Sequence, residues 1–143
     1  MENCIFCKII AGEASGSKVY EDDICLAFMD IQPVTPGHVL VVPRQHFVGL
    51  SDLPAKIGEH LFHIGQKIAI GLQKSTIRSE GINFFLADGK VAFQTVFHVH
   101  LHVIPRFSGD GFRLVFRPDY HKLPERSELE QLADEIKSNL ESN

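Results

Sequence analysis

A chain of 143 residues has room for one domain with a real hydrophobic core and little for a second. Its 44% hydrophobic and 22% charged content is that of an ordinary soluble globular protein, and a net charge of −4 speaks against broad binding to a nucleic-acid backbone. No apolar run reaches the roughly 18 residues of a membrane span, and Met1-Glu2-Asn3-Cys4 is not the start of a signal peptide, so three cysteines in a reducing cytoplasm are expected, with no membrane partner.

In chain order, Cys4-x-x-Cys7 comes first, with the spacing of two thiolate metal ligands on a tight turn or of a redox pair. Val19-Tyr20 and Ile24 to Met29 read as two short strands turning at Glu21-Asp22-Asp23, with Cys25 as packing. Pro33 to Gly37 is a loop. His38 to Val42 reads as a buried strand stopped by Pro43. A long helix follows, N-capped by Asp52, with Leu53, Ile57, Leu61, Ile64, Ile68 and Leu72 at helical spacing. Gly58, Gly65 and Gly71 weigh against that helix by about 1 kcal/mol each. Strands are expected over Ile82 to Leu86 and over Phe97 to Ile104, the second ending at Pro105. Ser127-Glu128-Leu129-Glu130 matches a capping box opening a helix with Leu129, Leu132, Ala133, Ile136 and Leu140 on one face. Strands gathered around one or two helices, without regular βαβ alternation, predict an α+β domain with an antiparallel sheet.

The chemistry concentrates in His98-Val99-His100-Leu101-His102. On a strand, alternate residues share a face, so the three imidazoles would line one side while Phe97, Val99, Leu101 and Val103 pack the other. Such crowding does nothing for a core and suits a site, since histidine serves as nucleophile, proton donor or metal ligand near neutral pH. Residues i and i+4 of a strand lie roughly 13 Å apart, so one ion held by all three is awkward and division of labour is expected. His60, His63 and His121 stand outside any motif and read as surface or helix residues.

The run His98-Val99-His100-Leu101-His102-Val103-Ile104 matches the His-φ-His-φ-His-φ-φ signature of the histidine triad (HIT) proteins. Cys4 to Ile10, Leu26 to Ile31, Pro36 to Pro43 and Gln94 to Phe97 resemble further segments of that family, so the similarity spans nearly the whole chain. It implies a HIT-like fold over residues 1–143 as a single domain, with a long central helix, an N-terminal zinc-binding segment over about 1–12 and a C-terminal helix over about 127–141. It further implies a homodimer that cleaves a nucleoside 5′-phosphoryl bond, in a dinucleoside polyphosphate or nucleoside phosphoramidate, through a nucleotidyl-histidine intermediate.

In that reading His100 is the nucleophile, His102 attends the phosphate or leaving group, and His38 joins their polar network. Asp30 would hold the ribose hydroxyls, with a turn role as its alternative. Ile5, Phe6, Ile9, Phe28, Ile31 and Leu40 would bracket a purine base, adenine favoured, and Gln94 and Thr95 would serve the nucleotide, Thr95 at a phosphoryl oxygen. Some relatives bind zinc through a CxxC pair, a downstream histidine and the first triad histidine, which here are Cys4, Cys7, His46 and His98: one structural ion per chain, and no organic cofactor. Two departures leave the substrate open. Ala87 stands where many members carry an amide, and Phe93 where a glycine is usual. Arg106 is expected at a phosphate or in a strand-end salt bridge. The rival readings are a nucleotidyltransferase, a nucleotide-binding sensor or scaffold, and a metallohydrolase using all three triad histidines.

Overall fold

A computed structural model describes residues 3–140, which form two compact units, Met1–Phe112 and Arg113–Asn143. The first is built on a five-stranded antiparallel sheet. Its strands are β1 (Lys18–Glu21), β2 (Cys25–Met29), β3 (Val39–Pro43), β4 (Gly81–Phe85) and β5 (Leu101–Arg106), ordered β1-β2-β3-β5-β4. Helices α1 (Ile5–Ala11) and α2 (Ala55–Lys74) belong to this unit, and α3 (Arg126–Ser138) to the other. This is the expected α+β, HIT-like architecture.

Alternation along the central strands divides the core between the two sheet faces. Cys25, Ala27, Val39, Val41, Leu101 and Val103 pack with Leu61, Ile64, Ile68 and Leu72 of α2. Leu26, Phe28, Leu40 and Val42 pack with Phe6 and Ile9 of α1. The glycines of α2 do not break it. At Gly65 a Cβ would lie 2.9 Å from Leu101 Cδ2 and 3.2 Å from the Phe84 ring, so the helix reaches the sheet there because it has no side chain.

Asp22 holds the β1–β2 turn. Its Oδ1 accepts the Ile24 and Cys25 N–H groups, and its Oδ2 meets the Tyr20 hydroxyl at 2.9 Å and His60 Nε2 at 2.7 Å. His60 thus fastens α2 to the turn. Partial burial pushes the Asp22 carboxyl up, but the Cys25 N–H, His60, the Ile24 N–H and the Tyr20 hydroxyl hold it well below the usual carboxylate range.

Several boundaries differ from the sequence expectations. Asp52 does not cap α2; it accepts the N–H groups of Val48 and Gly49, and Pro54 occupies the cap position. Pro105 lies inside β5, where its carbonyl accepts the Thr35 hydroxyl at 2.5 Å. β5 begins at Leu101, not at Phe97. In the second unit α3 starts at Arg126 with Glu125 at the cap position, so Ser127 lies within the helix and forms no capping box. Leu129, Leu132, Ile136 and Leu140 are exposed, and residue 141 of the expected helix lies outside the described residues. No described helix is long and apolar enough to cross a membrane.

Candidate active site and thiol–imidazole cluster

Of the three clustered histidines, only His102 stands on a strand. The β3–β5 register pairs Val39 with Val103, Leu40 with His102 and Val41 with Leu101. Continued, it would set Pro43 against Val99, and a proline has no N–H for a ladder. The approach segment is held differently: the Val99 N–H donates to the Phe47 carbonyl (2.8 Å), and the His98 ring donates to the Pro43 carbonyl (2.8 Å). The single-strand reading of the triad therefore gives way to a loop–strand junction, with the three rings divided between two places.

Backbone partners fix the imidazole tautomers, because a carbonyl can only accept and an amide N–H can only donate. His100 Nδ1–H donates to the His98 carbonyl (2.7 Å), so in the neutral ring Nε2 keeps its lone pair. His98 Nε2–H donates to Pro43, so its Nδ1 is bare. The Val34 N–H donates to His38 Nδ1 (3.1 Å), which places the His38 proton on Nε2. That Nε2–H donates to His102 Nδ1 (2.8 Å), so the remaining His102 proton sits on Nε2. A bare nitrogen on His100 thus neighbours a protonated one on His102, with ring centroids 4.8 Å apart.

All four imidazoles favour the neutral state. Burial lowers the pKa of His100, against the opposing pull of the His98 carbonyl and Asp30. Burial also lowers His98 and His38. His102 is pushed down to about 4, by burial first and then by His100 and His38.

His100, His102 and Thr95 line a cavity of about 450 Å³, within the range of small-molecule sites. Ile5, Phe6, Ile9, Phe28, Ile31, Leu40 and Asp30 line it too, so nearly all the expected nucleotide-contacting residues come together. Phe6 is central: its ring meets Phe28 at 5.4 Å and His100 at 5.2 Å, both edge-to-face. Ile31 is 97% exposed and reaches the cavity only at its rim. Asp30 takes both roles considered for it: Oδ1 accepts the Gln32 N–H (2.8 Å) in a turn, while Oδ2 lies 3.6 Å from His38 Nε2. His38 is buried and does not line the cavity; it reaches it through His102.

Gln94 is placed differently from expectation. Its side chain is buried and spent within the chain, Oε1 accepting the Gly89 N–H (2.8 Å) and Nε2 donating to the Val48 carbonyl (2.7 Å). This lock holds the 89–94 loop. Beside it Phe93 adopts φ 71° with its ring 80% exposed, and Ala87 is buried. Arg106 forms the strand-end salt bridge, with Asp110 at 2.6 Å. Ser15, Gly16 and Val96 also line the cavity. Sequence reading missed them: they belong to a loop and to the triad approach, and their types carry no chemical signal.

Cys4, Cys7, His46 and His98 offer ligand atoms all within 4.8 Å of one another. Cys4 Sγ lies 3.5 Å and Cys7 Sγ 3.6 Å from His98 Nδ1, and Cys7 Sγ lies 3.3 Å from His46 Nδ1. In a tetrahedral zinc site with usual bond lengths, sulfur and nitrogen ligands stand about 3.6 Å apart. The bare His98 Nδ1 therefore faces two thiols at ligand spacing. Residues from the start of α1, the loop after β3 and the triad approach meet here, a donor set that fits zinc.

A five-stranded antiparallel sheet that splits three alternating histidines between a thiol cluster and a small-molecule cavity defines a histidine triad protein. The HIT domain family model matches residues 11–109, and the chain belongs to that family. Among solved structures, a HIT family member from Bacillus subtilis is similar at TM-score 0.89 and 38% identity, covering 99% of each chain. A zinc-bound histidine triad protein from Mycobacterium smegmatis is similar at TM-score 0.76 and 38% identity, over 97% of this chain and 99% of that one. Adenylylsulfatase HINT3 of Arabidopsis thaliana is 33% identical over 138 residues, 96% of this chain and 70% of the relative.

Proposed function

We propose that the protein hydrolyses a nucleoside 5′-phosphoryl compound, adenosine favoured, through a nucleotidyl-His100 intermediate. The observation that carries this reading is the tautomer pair: a bare His100 Nε2 beside a protonated His102 Nε2 on the wall of one cavity. In the first step His100 Nε2 forms a bond to the α-phosphorus, the bond from phosphorus to the leaving atom breaks, and that atom takes the His102 Nε2 proton. In the second, water attacks phosphorus, its proton passes to His102, and the N–P bond breaks to release the monophosphate and free His100.

The other residues hold and orient. Asp30 accepts from the ribose hydroxyls, Thr95 donates to a phosphoryl oxygen, and the apolar side chains from Ile5 to Leu40 enclose the base. His38 keeps His102 in its donating tautomer. Zinc at Cys4, Cys7, His46 and His98 would serve as a closed structural ion tying α1 to the triad approach. The zinc-bound mycobacterial relative supports that ion, and the adenylylsulfatase name of the plant relative supports an adenylyl substrate. The same reading treats the chain as a single cytoplasmic HIT domain that works as a homodimer, and the exposed apolar stripe of α3 supports self-association.

The test is His100→Ala. Turnover of an adenosine phosphoramidate and diadenosine polyphosphate panel should fall at least ~10³-fold, and acid quenching should no longer trap nucleotidyl-protein. Zinc content should persist; its loss would favour a metallohydrolase. Tight nucleotide binding by the unsubstituted protein without turnover on the panel would favour a sensor.

A further inference from the structure

The direct pairs of the sheet place four residues in one row. Phe28 lies opposite Leu40, Leu40 opposite His102, and His102 opposite Phe85. Directly opposed residues point to the same face, so the row runs across β2, β3, β5 and β4 with His102 between apolar neighbours on both sides. The two flanks differ. Phe28 and Leu40 are buried and line the cavity. Phe85 ends the edge strand β4, lies outside that cavity lining and is 41% exposed. Its ring stands edge-on to His102, with centroids 5.6 Å apart.

We infer that Phe85 is a specificity-determining residue, the platform for a leaving group that carries an aromatic ring a short arm from the leaving atom. This rests on the proposed nucleotidyl transfer and adds the chemistry of the departing half. His100 packs against Phe6 on the enclosed flank, and a displacement expels its leaving group on the side away from the attacking nitrogen. The expelled atom takes its proton from His102, whose aromatic neighbour on the open flank is Phe85. A ring within two or three bonds of that atom reaches the exposed Phe85 ring and gains an aromatic contact. A nucleobase at the far end of a polyphosphate passes beyond it, and ammonia or sulfate leaves it untouched. The fitting substrate is a nucleoside phosphoramidate of an arylalkylamine: the P–N bond breaks, and the amine departs with the His102 proton.

The zinc-loaded full-length protein is assayed on three adenosine 5′-phosphoramidates, with phenylethylamine, hexylamine and ammonia as leaving groups, and on diadenosine triphosphate. The unsubstituted protein should prefer the phenylethyl compound to the hexyl compound by roughly three- to tenfold in kcat/KM, the size of one aromatic pair. Phe85→Leu should abolish that preference, and Phe85→Tyr should retain it. Equal preference in the leucine and tyrosine variants would overturn the inference. So would a Phe85→Leu loss confined to diadenosine triphosphate, which would place a second nucleobase on this flank. Failure of the unsubstituted protein to release AMP from any of the four would instead sink the proposed hydrolysis itself.

Discussion

His38 Nε2 and His102 Nδ1 stand 2.8 Å apart, and the Val34 N–H on the far side of His38 fixes the direction in which that proton is donated. His38 thereby determines which nitrogen of His102 carries a proton toward the cavity. His38→Phe keeps a planar ring and removes the donor. The expected result is a kcat lower by about 10²-fold with a smaller change in KM. The loss should shrink for an adenosine 5′-phosphate ester of a strongly acidic phenol, which departs without a proton. Equal losses on both substrates would show that His38 does not act through proton donation.

The pH dependence follows from the same burial. His102 takes up its proton only near pH 4 in the folded protein, against about 6.5 for free histidine. Between those values the unfolded chain binds a proton that the folded site rejects. This contribution to stability is therefore complete above about pH 6.5 and is lost as pH falls toward 4. The acid limb of kcat/KM, which reports the free enzyme, should lie well below 6.5. A limb at 6.5 in a pH–rate profile would contradict it.

His98 serves two neighbours at once: its Nδ1 faces the thiols of Cys4 and Cys7, and its carbonyl accepts from His100. Removal of zinc by a chelator, or Cys7→Ser, should therefore lower kcat as well as the melting temperature. Direct metal analysis should find about one zinc per chain before treatment. An oxidised Cys4–Cys7 pair without zinc would overturn the metal assignment, and unchanged kcat after complete stripping would show that His98 aims the nucleophile unaided.

Phe93 occupies a left-handed backbone conformation, φ 71°, that disfavours any residue with a Cβ. Phe93→Gly should stabilise the fold by about 1 kcal/mol, read as a higher denaturation midpoint, because the exposed ring gives up little packing. Gln94→Ala should do the opposite by about 1–3 kcal/mol, since it strips partners from the Gly89 N–H and the Val48 carbonyl.

Much of this was legible in the residues. Periodicity located α2 and the core strands because burial on one side leaves a mark on every third, fourth or second residue. The triad and the Cys4-x-x-Cys7 pair stood out because their residue types are costly to place without purpose. Boundaries that depend on backbone partners were less visible. Asp52 looks like a helix cap, yet its carboxylate turns back to Val48 and Gly49. Gln94 looks like a ligand contact, yet it is consumed by partners 5 and 46 residues away in sequence. Phe85 gave no signal, since its significance comes only from standing opposite His102.

Pro43 has a consequence of a different kind. The register that pairs Leu40 with His102 does not extend to Pro43, so one histidine of the run is locked to the sheet while His98 and His100 hang from side-chain and loop bonds. The run is thereby two modules written in one stretch of sequence. The thiol-facing end can drift, lose its cysteines or change its partners without shifting the rung on which His102 stands. A lineage could thus keep its acid chemistry while discarding its metal, and that freedom traces to one absent amide hydrogen.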